Sequence, residues 1–264
     1  MHCNLINKAL TIPKRHIYFA SDFHLGVPDH NSSLEREKKL VKWLNIIRSD
    51  AAEIYLMGDV FDFWFEYRTV VPKGYIRLLG TIAEITDSGI PVHVFRGNHD
   101  VWAFDYLEKE AGVILHRDPV IRKFGNKTFY LAHGDGLGPG DKGYKFLKKV
   151  FSLRFNQILF SWLHPDIGTR LGLYFSKKSR IANVAREQKP EYQMVIEKEM
   201  LFVYSKDYLK QRADINFFIY GHRHVPTDHQ LATDSRMVIL GDWVTNFTYA
   251  VFDGEELKLV KFSD

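Results

Sequence analysis

A single cysteine, Cys3, stands among the 264 residues. That excludes an internal disulfide, argues against a thiolate zinc site and fits a reducing compartment. No uninterrupted apolar run approaches the ~18 residues that a spanning helix requires. The N-terminus also lacks a basic stretch leading into an apolar segment, so no secretory leader is expected. Internal repeats and low-complexity segments are missing as well. What remains is the composition of a soluble globular chain, long enough to bury one large core as one domain or one domain with an insertion. A cytoplasmic protein that touches a membrane surface fits these absences.

Acidic groups are scarce where basic ones concentrate. Residues 142–189 hold 11 of the 36 Lys and Arg but only 2 of the 32 Asp and Glu, so the rest of the chain is net acidic beneath an overall charge of +4. Such a partition suits an anionic partner: nucleic acid, anionic lipid or a phosphate ester. A solvated helix face is the plainer explanation of a lone charge run, but here the charges alternate with aromatic residues.

Apolar periodicity places a first strand at 16–20 and an amphipathic helix over 33–48. A strand at 54–57, a helix around 76–86 and a strand at 91–95 follow, and this alternation predicts a parallel sheet. Beyond residue 100, Gly125-Asn126 between two β-rich runs marks a hairpin, so the sheet system is mixed. Residues 143–209 read as helical, broken near His164-Pro165 and Gln188-Lys189-Pro190. A strand at 215–220 and antiparallel strands at 237–240, 248–252 and 257–262 complete the chain. The helical block is an insertion between two strands of one domain.

Five strand ends carry polar clusters: Asp22-x-His24, Gly58-Asp59-x-x-Asp62, Gly97-Asn98-His99-Asp100, His133-Gly134-Asp135 and Gly221-His222-Arg223-His224. Singly, each has a bland explanation, since an Asp after a strand is ordinarily a turn residue or a helix cap. Five in succession gather metal-competent groups at the carboxyl edge of the strands, where open α/β sheets bind ligands. Asp59, with two carboxylate oxygens, can hold two ions at once.

This ordered set resembles the calcineurin-like metallophosphoesterase superfamily, and the likeness runs from Asp22 to His224. It implies an α/β fold, a four-layer α/β/β/α sandwich spanning residues 1–264, with a helical cap insertion at about 142–210 and a two-metal site. Carried over motif by motif, Asp22, His24, Asp59 and His224 would bind one ion. Asp59 would bridge to a second, completed by Asn98, His133 and His222. Carboxylate, amide and imidazole ligands together suit two divalent ions such as Mn²⁺, with Fe²⁺ or Zn²⁺ also compatible. Two such ions activate water for in-line attack on phosphorus, so no side-chain nucleophile is required. His99 would contact the phosphoryl oxygen or protonate the leaving group, and Asp62 would accept its other ring N–H. Asp100 and Asp135 read as loop braces.

The insertion bears on the substrate. Gly138-Pro139-Gly140-Asp141-Lys142-Gly143-Tyr144 leads into apolar helices that carry Phe160 and Trp162 and then Lys177-Lys178-Ser179-Arg180. Basic groups beside apolar helices suit an acylated phosphate compound, and Phe160 and Trp162 are expected to face lipid. The combination is similar to the branch of the superfamily that acts on UDP-2,3-diacylglucosamine in lipid A assembly. That resemblance implies hydrolysis to UMP and 2,3-diacylglucosamine 1-phosphate at the cytoplasmic face of the inner membrane, by a peripheral protein with no obligate protein partner. Asp141, Tyr144, Lys177, Lys178 and Arg180 become the substrate-contact candidates. Many members of that branch carry Arg where this chain has His99. A nuclease or another phosphodiesterase is the alternative function, disfavoured by the apolar helices. A scaffold without activity is disfavoured by the full set of ligands.

Overall fold

The computed structural model describes residues 16–140, 142–187 and 196–263, the side chains of 179–187 excepted. The first sheet joins β1 (His16–Ala20), β2 (Ala51–Leu56), β3 (Val92–Phe95), β4 (Ile114–His116), β10 (Thr248–Phe252) and β11 (Leu257–Lys261) in the order β11-β10-β1-β2-β3-β4. The second joins β5 (Val120–Phe124), β6 (Lys127–Leu131), β7 (Phe217–Tyr220), β8 (Thr227–Ala232) and β9 (Ser235–Ile239) in the order β5-β6-β7-β9-β8. The β1–β4 run is parallel, as the alternation of strands and helices predicted.

Strand periodicity explains why the two sheets stack. Ile17, Phe19, Tyr55 and Met57 of the first sheet meet Phe129, Leu131, Phe217 and Ile219 of the second in one buried cluster. The alternate residues Tyr18, Ala20, Ile54 and Leu56 turn outward. There they are covered by α1 (His30–Ile47), α2 (Ile76–Asp87) and α3 (Tyr106–Ala111). On the opposite flank Tyr130, Phe218 and Tyr220 pack with Leu201 and Phe202 of α7 (Met200–Leu209). Successive side chains of a strand face opposite ways, so strands apolar on both faces call for layers on both sides. The result is the four-layer arrangement.

Several strand ends shift by one to three residues from the sequence reading, β2 beginning at Ala51 rather than 54. Helix α1 begins at His30 rather than 33, because the Asp29 side chain accepts from Ser32 N at 2.9 Å and caps it. Strand β8 went unread because its polar sequence, TDHQLA, sits at a sheet edge where only Leu231 is buried.

Between β6 and β7 the chain forms α4 (Lys142–Ser152), α5 (Arg154–Ser161), α6 (Pro165–Glu187), a 3-10 turn (Ile196–Lys198) and α7. The expected insertion therefore divides: α7 covers the second sheet, while α4 to α6 seat on the loops after β2 and β3. Phe63, Phe65 and Trp102 form that seat, with Phe160 and Leu173 packed against it. Gly168 and Gly172 let α6 come close, because a Cβ on Gly172 would lie 2.2 Å from the Phe63 ring. Phe160 is accordingly an anchor, 4.7 Å ring to ring from both Phe65 and Trp102. Trp162, its expected companion, is 78% exposed. Among the described residues no helix is long and apolar enough to cross a membrane.

Candidate metal centre

The carboxyl ends of β1, β2, β3, β6 and β7 deliver the five polar clusters to one place. Backbone geometry there is unusual. Of the seven non-glycine residues with positive φ among those described, five are Asp22 (58°), His24 (44°), Asp59 (51°), His222 (66°) and His224 (53°). A side chain in this region costs about 1–3 kcal/mol and persists only where its surroundings enforce it. The enforcement is visible: Asp22 N donates to Gly58 O at 3.1 Å and His24 N to Asp59 O at 3.0 Å. Gly97 is flush against the centre, since a Cβ there would fall 2.1 Å from Asp59 Oδ1.

Three triads place ligand atoms within 4.8 Å of one another: Asp22, His24 and His224; Asp59, His133 and His222; and His24, Asp59 and His99. The first two fall on opposite halves of the expected ligand set. Asp59 Oδ2 lies between them, 3.8 Å from His24 Nε2 and 3.4 Å from His133 Nε2. Asn98 Oδ1 joins the second group at 3.4 Å from His133 Nε2. The ring of His133 is aimed by its far side, where Nδ1–H donates to Met57 O at 2.8 Å. Asp22 Oδ1 is buried without a directed hydrogen bond, although His224 Nε2 is 3.1 Å away. Converging carboxylates, an amide oxygen and inward imidazole nitrogens are a donor set that fits divalent ions.

The electrostatics point the same way. Burial would raise the carboxyl of Asp22, yet His224 and His24 hold it well below the usual carboxylate range. Burial likewise opposes ionisation of Asp59, and His133 and His99 overcome it, so its pKa is lowered too. Burial pushes His133 down, but Asp59, then Asp22 and Asp135, carry it up to about 10. The cluster thus holds anionic charge and draws positive charge inward. Asp100 is raised to about 7 by burial and by Asp59. Its carboxyl takes the N–H groups of Val60 (2.8 Å) and Gly97 (2.6 Å), and so braces two ligand loops.

His99 is held differently from expectation. Its Nδ1 lies 2.9 Å from the main-chain carbonyl of Asp62 and 3.6 Å from the carboxylate. That carboxylate is nearer His24 Nδ1, at 3.3 Å. Asp62 therefore orients His24 through its side chain and His99 through its backbone. Ser176, unread in the sequence, completes the group. It lies on the same α6 face as Gly168 and Gly172, donates to Asp62 Oδ2 at 2.5 Å and sits 3.1 Å from His99 Nδ1. With acceptors around Nδ1 the ring proton belongs there, leaving Nε2 toward the site. Ser176→Ala should lower kcat roughly tenfold, the effect of one lost hydrogen bond. KM and metal content should hold, and Ser176→Thr should recover part of the rate; a change confined to KM would contradict this positioning role.

Of the remaining candidates, Tyr144 stands beside the centre, its ring 6.4 Å from that of His222. Tyr144 donates its hydroxyl to Asp135, and Lys148 pairs with the same carboxylate at 2.6 Å, so this acid ties α4 to the loop after β6. Lys177 and Lys178 are exposed on α6. Asp141 and the side chain of Arg180 lie outside the described residues. Asp242, also unread, follows β9 and a glycine. Its carboxylate accepts from Thr245 N (2.8 Å) and Asn246 N (2.9 Å), and Asn246 in turn donates to His224 O at 2.8 Å. The repeated strand–Gly–Asp punctuation was the signal available for it.

A family model described as calcineurin-like phosphoesterase matches residues 15–226. The chain is 39% identical over 257 residues to a UDP-2,3-diacylglucosamine hydrolase of Porphyromonas gingivalis, covering 94% of this chain and 98% of that one. It is 27% identical to the UDP-2,3-diacylglucosamine hydrolase of Aeromonas hydrophila, covering 85% and 89%. Among solved structures, the E. coli phosphoesterase Yfce covers 93% of this chain, and this chain 92% of it, at 15% identity and a TM-score of 0.46.

Proposed function

Because the chain belongs to the calcineurin-like phosphoesterase family, we propose that it hydrolyses the diphosphate of UDP-2,3-diacylglucosamine to UMP and 2,3-diacylglucosamine 1-phosphate, a step of lipid A biosynthesis. The observation that carries this reading is the end-to-end likeness to the P. gingivalis hydrolase. Asp22, His24, Asp59 and His224 would hold one divalent ion, and Asp59, Asn98, His133 and His222 the other, a donor set that suits Mn²⁺. When bound, such ions lower the pKa of water and neutralise charge on the phosphoryl oxygens.

The chain's own groups do the rest. Asp62 and the Met57 carbonyl keep His24 and His133 in the orientations that turn their Nε2 atoms inward. His99 presents Nε2 to the substrate. Burial holds its pKa down to about 4 in the free protein, and an arriving diphosphate opposes that by favouring the imidazolium. A protonated His99 then donates to the oxygen linking the two phosphorus atoms as charge develops on it. Lys177, Lys178 and Arg180 serve the acylated sugar phosphate, and the protein works peripherally at the cytoplasmic face of the inner membrane. Exposed Phe146, Phe155 and Trp162 on and beside α4 and α5 support the membrane assignment.

Hydrolysis of the lipid in ¹⁸O-labelled water tests both substrate and orientation. The label should enter UMP, with water attacking the uridine-side phosphorus. Label in 2,3-diacylglucosamine 1-phosphate would reverse the orientation. No hydrolysis by metal-loaded protein would sink the substrate and favour another phosphodiester.

A further inference from the structure

A recess of about 910 Å³ opens between the loop after β2, the start of α3 and helix α5. Its wall carries Arg68, Arg96, Lys109, Arg117 and Arg154 against two acids, Glu66 and Asp105. Both acids are engaged. Glu66 accepts from Trp64 Nε1 (3.1 Å) and from the backbone N–H groups of Asp105 (2.8 Å) and Tyr106 (3.1 Å). Asp105 accepts from Lys109 at 2.6 Å. Arg117 gives one N–H to the Phe104 carbonyl at 2.8 Å and lies 3.8 Å from Glu108. Arg96 lies 5.7 Å over the Phe104 ring, and its Nε is buried with no hydrogen-bond partner.

Arg96 is half-buried with its Nε out of reach, so a ligand in the recess meets the rest of its guanidinium beside that of Arg117. Planar donor groups of this kind suit phosphate oxygens. The rim gives the rest of the ligand's character. Ile158 lines the recess, and on the same stretch Leu153, Phe155 and Trp162 stand in solvent. Cationic groups beside outward apolar side chains complement an amphiphile with an anionic head.

We propose that this recess receives the phosphate headgroup of an anionic membrane phospholipid, distinct from the substrate, while the exposed apolar side chains of α4 and α5 lie in the adjoining acyl boundary. The inference rests on the membrane-surface part of the function proposed above. The main rival is the nucleotide half of the substrate, since Arg96 and Arg117 also wall a cavity of about 180 Å³ that reaches Gly97 and His133.

The test is co-sedimentation of the full chain with vesicles of phosphatidylcholine, alone or mixed 4:1 with phosphatidylglycerol. No substrate is present, so failure of the hydrolase reading leaves the result interpretable. The mixed vesicles should bind at least about tenfold more tightly, and Arg96→Gln with Arg117→Gln should bring that preference to about twofold or less. Should this pair lower Tm, Arg68→Gln with Arg154→Gln decides, because both side chains are exposed; it should lose about threefold or more. Lys142→Gln with Lys149→Gln removes two exposed charges of α4 outside the recess and should lose less than either arginine pair. Equal loss in the lysine pair would show diffuse attraction and overturn the site. So would an intact preference in both arginine pairs, or calorimetric binding of UMP that Arg96→Gln with Arg117→Gln abolishes while vesicle binding stays.

Discussion

Asp59→Ala is expected to cut turnover by roughly 10³-fold or more, because one carboxylate serves both halves of the proposed metal centre and each ion contributes several kcal/mol to the barrier reduction. Asp59 Oδ2 lies within 3.8 Å of His24 Nε2 and 3.4 Å of His133 Nε2, so no neighbouring group replaces it. Its other oxygen takes the His99 backbone N–H at 2.9 Å. Asp59→Asn, which keeps that acceptor and removes the charge, separates the two contributions. Metal content by mass spectrometry and steady-state turnover, measured on the same samples, should fall together in both variants. Full turnover in rigorously metal-free protein would end the two-ion mechanism.

His99→Ala should reduce turnover by about 10²–10⁴-fold, the range for loss of a general acid, while both metals stay bound. The geometry makes this a sharp test. His99 shares a potential ligand triad with His24 and Asp59, and its ring stands edge-on to His24 at 4.8 Å. Asp62 O and Ser176 Oγ hold Nδ1 from the protein side and leave Nε2 toward the site, as Met57 O does for His133, so metal content is what separates the two roles. Metal loss in His99→Ala equal to that in His222→Ala would make His99 a ligand and remove it from proton transfer.

The strand-end clusters were readable because a parallel sheet brings its carboxyl ends together whatever the loops do. Once Asp22, Asp59 and Asn98 were each placed after a strand, their neighbourhood followed from topology. Ser176 could not be read that way. Its partners Asp62 and His99 lie 114 and 77 residues away, and contact depends on how α6 docks through Gly168 and Gly172. Tyr144, a substrate contact by motif, gives its hydroxyl to Asp135 nine residues earlier, a local contact. Phe160 and Trp162 are two residues apart on one apolar run, yet one is an anchor and the other faces solvent. Apolar character alone does not say which neighbour a helix will find. Arg96 was hidden for another reason: it adjoins Gly97-Asn98-His99 and reads as part of that motif, although its side chain walls two recesses, only one of which reaches Gly97.

The two sheets contribute to the centre in an order set by the chain. Asp22, His24, Asp59 and Asn98 all follow strands of the first sheet, whereas His133, His222 and His224 follow strands of the second. On a ribosome adding about 5–20 residues per second, roughly 6–25 s separate Asn98 from His222. The nascent chain owns four of the seven groups until His133 arrives and five after it, and of the second sheet it has only β5 and β6 before β7. Metal capture is therefore a late event, tied to the arrival of β7. A chain cut short before residue 221 keeps Asp22, Asp59 and His133 but lacks His222 and His224, and with them one group from each proposed ion.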